Sequence, residues 1–125
     1  MSHTALVYIC GLFSLGFALF HLAFWKLFGW PRTLQHTHAA TRAITQILNL
    51  RLIYVFFGIA ALCLFLPQEL LGTRLGHAIL GGMSLFWIGR TIEQFVFLRI
   101  NHPLVHVLTV LFVVNAALFA LPLFV

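Results

Sequence analysis

Ionisable and amide side chains are few in this chain, and most of them recur at helical spacing inside apolar runs. Arg42, Thr45, Gln46 and Asn49 stand at i, i+3, i+4 and i+7, which lines them along one helix face, with Arg51 on the opposite side. Arg90, Glu93, Gln94 and Phe97 share a face by the same spacing. Cys10, Ser14, Phe17 and His21 form a third stripe, and His102, His106 and Thr109 a fourth. The chemistry that suits this set is the binding of an anionic or polar group. Arg42, Arg51 and Arg90 outweigh Glu93, which leaves a net positive site, and Gln46, Asn49 and Gln94 add hydrogen bonds.

Two other chemistries use the same residues. His21 and His106, on the first and fourth helices, could hold a b-type haem with arginines pairing its propionates. His102 and His106, at i and i+4, have a spacing that a divalent metal accepts, although His102 before Pro103 also suits a helix cap. An enzyme acting on a lipid or quinone would use Glu93 and a histidine as acid and base. The binding, transport or accessory-subunit reading is preferred to both, and an enzyme is the less favoured class. His36 and His38 read as a solvated loop that meets lipid phosphates, and Asn115 as an interhelical hydrogen bond. The chain contains no H-E-x-x-H, G-x-S-x-G, P-loop, C-x-x-C-H or C-x-x-C motif. It also has no Asp, which leaves little from which to build a magnesium-dependent phosphotransferase.

The elements that position these residues follow from composition. Hydrophobic residues make up 62% of the 125, and charged residues only 7%. A soluble domain has about 45–50% and about 25% respectively, so the bilayer is the expected solvent. Mean hydropathy is +1.08. Four apolar stretches predict helices over about 4–28, 41–66, 73–100 and 103–124 of a single transmembrane domain, 1–125. A cleaved leader would need an early positive charge, whereas the first here is Lys26, after the apolar run. Gly29-Trp30-Pro31 and Leu66-Pro67 stop the first two helices, and Pro103 opens the fourth. Short links make neighbours antiparallel, so the expected fold is all-α, a membrane four-helix bundle running up-down-up-down.

Orientation follows from charge. Lys26, Arg32, Arg42 and Arg99 flank the one–two and three–four links, Arg51 and Arg90 lie toward the same side, and only Arg74 lies on the other. The positive-inside rule then puts the basic links in the cytoplasm and both termini on the non-cytoplasmic side, in a bacterial inner (plasma) membrane. The net charge of +5 is thereby used for topology, and no nucleic acid is expected as a partner. The expected partners are the bilayer itself and a homodimer or larger membrane complex, with the glycine-rich third helix as its interface. At about 1.5 Å per residue, His21, Asn49, Arg51, Glu93 and His106 reach similar depth. A buried Glu93–Arg51 or Glu93–Arg90 ion pair is expected there, because a lone carboxylate in hydrocarbon would protonate. Cys10 and Cys63 are expected as buried free thiols.

Overall fold

The computed structural model describes residues 2–124, and every regular element among them is helical. Helix α1 spans His3–Leu22 and opens on Ser2, whose hydroxyl accepts from the Ala5 amide at 3.1 Å. Expected as one helix to Phe28, this segment instead tightens at Ala23 and continues as a single turn, α2 (Phe24–Leu27). The Ala23 amide is shared between the Leu19 and Phe20 carbonyls, at 3.2 and 3.0 Å, a three-centre bond that narrows the turn. A 3₁₀ turn at Arg32–Leu34 then leads into α3, Ala39–Phe65, the longest helix at 27 residues.

Leu66-Pro67 ends α3, but it also starts an element that the sequence reading does not contain. Pro67 occupies the first turn of a short helix, α4 (Pro67–Gly72), where a missing N–H costs nothing. Thr73 caps α5 (Arg74–Phe97), its hydroxyl accepting from Gly76 N at 2.9 Å. Helix α5 stops three residues short of the expected Ile100. The link from Leu98 to His102 precedes α6, Pro103–Phe124.

Two antiparallel pairs carry most of the packing, α1 on α3 and α5 on α6, and α1 also packs along α6. Gly11 lies at a close approach of α1 to α3, because a Cβ there would stand 2.9 Å from the Cys63 Cβ and from Leu64. Cys10 and Cys63 are both buried free thiols. Three helices are long and apolar enough to cross a membrane: α1, α3 and α6. Helix α5 has the length, but it carries Arg74, His77, Arg90, Glu93, Gln94 and four glycines, and it is not among those three.

The four long helices meet in one aromatic layer. Trp87 of α5 is 1% exposed and stacks on Phe56 of α3 at 5.6 Å and 8°, and on Phe112 of α6 at 5.3 Å and 27°. Phe17 of α1 closes the group, 4.6 Å from Trp87. Each such pair contributes about 0.5–1.5 kcal/mol beyond its buried area. In a medium where apolar burial drives little, this close packing is what holds the helices at fixed spacing.

Candidate functional site

Directly below the aromatic layer lies a cavity of about 60 Å³ to which all four long helices contribute. Its polar lining is His21 from α1 and Arg90 from α5, set among Phe17, Phe56, Trp87 and Phe112. The Arg90 guanidinium sits 4.8 Å from the centre of the Phe112 ring, and Phe112 is 4% exposed. The charge therefore turns toward the interior, where a cation over a ring face recovers up to about 2 kcal/mol when water is excluded.

His21 is oriented by its own helix. Its Nδ1–H donates to the Phe17 carbonyl at 2.7 Å, since a carbonyl can only accept. Nε2 is then the ring nitrogen left for a ligand. The ring stacks on Phe24 at 4.4 Å and 29°, so the turn at α2 holds one of its faces. Trp87 lines the same cavity, and its Nε1–H has no hydrogen-bond partner among the described residues. An orphaned buried donor costs about 1–3 kcal/mol. The cavity thus offers a cation, the His21 Nε2 lone pair and aromatic rings, and its lining contains no acid.

The other sequence-nominated residues divide into three groups. Gln46 and Asn49 join helices. The Gln46 Oε1 accepts from Trp25 Nε1 at 3.0 Å, its Nε2 donates to the Arg42 carbonyl at 3.2 Å, and Asn49 Nδ2 donates to the His21 carbonyl at 2.9 Å. Those amides brace the bend at Ala23, and neither residue lines the cavity. Gln94 is buried and donates from Nε2 to the Val105 carbonyl at 3.2 Å, tying α5 to α6, while its Oε1 has no partner among the described residues.

Arg42, Arg51 and Glu93 lie away from the cavity. The Arg42 Nη1 reaches the Gln35 carbonyl at 3.5 Å in the one–two connection. Arg51 is exposed, with its guanidinium 5.7 Å from the Tyr54 ring centre, and Glu93 is exposed as well. The buried ion-pair network expected from similar depth therefore does not form as drawn. Equal depth brings side chains together only when they also face the same way, and Arg51 and Glu93 face outward.

His21 and His106 line different cavities. His106 lines two cavities beside α6, neither of which includes His21. Its Nε2–H donates to Asn101 Oδ1 at 2.8 Å. His102 Nδ1 accepts from the Leu104 amide at 3.1 Å and so caps α6. Among the described residues no three His, Cys, Asp or Glu side chains cluster as metal ligands would.

Phe17 shares the His21 stripe in the sequence, whereas Phe56, Trp87 and Phe112 are not among the residues the sequence nominates. A signal was present. Phe17 precedes His21 by four residues and Trp87 precedes Arg90 by three, so each shares a face with the polar residue below it. No protein-family model matches the chain, and neither a curated protein nor a solved structure matches it.

Proposed function

We propose that this protein is a membrane four-helix bundle, up-down-up-down, that binds an anionic or strongly hydrogen-bond-accepting group at the His21–Arg90 cavity. In this reading α5 is the fourth span, both termini lie on the non-cytoplasmic side, and the basic links lie in the cytoplasm. The protein acts as a binding module or accessory subunit, not as an enzyme.

The observation that carries the reading is the inward placement of Arg90. A cation near the bilayer centre costs ~2.5–3.5 kcal/mol on insertion scales. The Phe112 ring offsets only part of that. Arg90 stands seven residues, or about 10 Å, inside the end of α5, close enough to the interface for its long side chain to escape. Its guanidinium lies over the Phe112 ring instead. A bound anion would pair with that charge. The haem reading is not retained, because its two histidines line different cavities.

The test is a thermal-shift and fluorescence titration of the detergent-purified protein with small carboxylates, butyrate among them. Saturable stabilisation is expected. Arg90→Gln should weaken it about ten- to hundredfold, the usual worth of a hydrogen bond to a charged group. Arg90→Lys, a point charge without the planar fork, should fall between the two. A wild-type protein indifferent to every anion would overturn the reading.

A further inference from the structure

A second cavity adjoins the first. Between α1 and α6 runs a groove of about 470 Å³, its floor set by Leu12, Phe13 and Gly16 on one side and Val107, Leu108 and Leu111 on the other. No polar side chain lines it. Leu12 and Val107 are 59% and 55% exposed, so the groove opens onto the outer surface of the helices. Three side chains, Phe17, Phe20 and Leu108, belong to both linings, so the groove ends where the His21–Arg90 cavity begins. From Leu12 to Phe20 its length along α1 is about 12 Å.

We propose that the ligand is a long-chain carboxylate taken from the surrounding bilayer, with its alkyl chain in the α1–α6 groove and its carboxylate on the Arg90 guanidinium. The inference rests on the binding reading above and adds the class of ligand. Three features select that class. The polar cavity is small, about 60 Å³, and admits a carboxylate more readily than a phosphodiester with its glycerol. Its lining holds a cation and no acid, which complements a negative head. The groove beside it is wholly apolar and opens laterally, as an entry route from lipid must. An alkyl chain gains little by exchanging lipid contacts for protein contacts. Selectivity therefore resides in the head group, with the groove setting where the chain lies.

The test uses the full chain in phosphatidylcholine nanodiscs with a palmitic acid analogue that bears a diazirine midway along its chain. Adducts mapped by mass spectrometry should concentrate on residues 12–20 and 104–111. Excess palmitate should suppress them about tenfold or more, and methyl palmitate, which lacks the charge, should not. Gly16→Phe should abolish groove labelling, because nothing lies within 4 Å of the position a Cβ would take and the ring would occupy the groove. Val107→Trp provides a second block from the α6 side. Both variants should keep the butyrate-induced thermal shift, since neither residue lines the polar cavity. Labelling spread evenly over the lipid-facing helices, or unaffected by palmitate, overturns the inference. If butyrate still shifts the wild type in that case, the binding reading stands and only the ligand class is wrong. If butyrate has no effect either, both fall.

Discussion

Arg90 and Glu93 are three residues apart on one helix, and they meet opposite environments. The Arg90 side chain turns over Phe112 into the shared cavity, while Glu93 is exposed. Glu93→Gln should therefore change stability by less than about 0.5 kcal/mol, as for other exposed positions. A large loss of thermal midpoint in that variant would mean that the carboxylate has a structural partner. Asn49 behaves differently. It is 4% exposed, and its amide bonds to the His21 carbonyl, linking α3 to the end of α1. Asn49→Ala should cost about 0.6–1.5 kcal/mol, measured by unfolding in detergent. The same variant should weaken butyrate binding, because the bond helps hold the turn that carries His21. Unchanged binding would show that the Phe17 carbonyl alone orients the ring.

Helices α4 and α5 join at a point that admits no side chain. A Cβ on Gly76 would stand 2.4 Å from the Leu70 carbonyl oxygen and Cα, and backbone cannot give way as a flexible side chain can. Gly76→Ala should destabilise by about 1–3 kcal/mol, the usual range for overpacking. Gly16→Ala, with open space around the site, is the control and should leave the unfolding midpoint unchanged. Equal behaviour of the two would show that α4 is free to move away. The short helix itself explains why Leu66-Pro67 was legible as a stop but not as a start. Pro is compatible with either, and six residues are too few for an amphipathic period to register. The break at Ala23 is similar: nothing in Leu22-Ala23-Phe24 disfavours a helix, and the bend becomes visible only with Asn49 beside it.

Taken together, the helices present a large apolar surface, from Leu12 and Leu19 on α1 to Val110 and Val113 on α6. That surface fits hydrocarbon. The proposed orientation predicts the labelling of single cysteines placed in a Cys10→Ser, Cys63→Ser background. Ser2→Cys should react with an impermeant thiol reagent added to intact cells. Gln35→Cys, in the basic one–two connection, should react only after permeabilisation. The reverse pattern would overturn the orientation while leaving the helical fold untouched.

The apolar runs, the proline stops and the polar stripes are local properties of the chain, and they were enough to read an all-helical protein with membrane-spanning segments. Hydropathy adds residue by residue, so each of the four long helices could be recognised without its neighbours. The site was legible in part: His21 and Arg90 stood out as ionisable residues in apolar runs. Their grouping with Phe17, Phe56, Trp87 and Phe112, and the dismissal of Arg51, Glu93 and His106 to other surfaces, required the folded chain. Rotation of one helix against another is set by close packing among side chains far apart in sequence. A turn of α3 or α6 about its axis changes which residues meet while leaving every local pattern as it was.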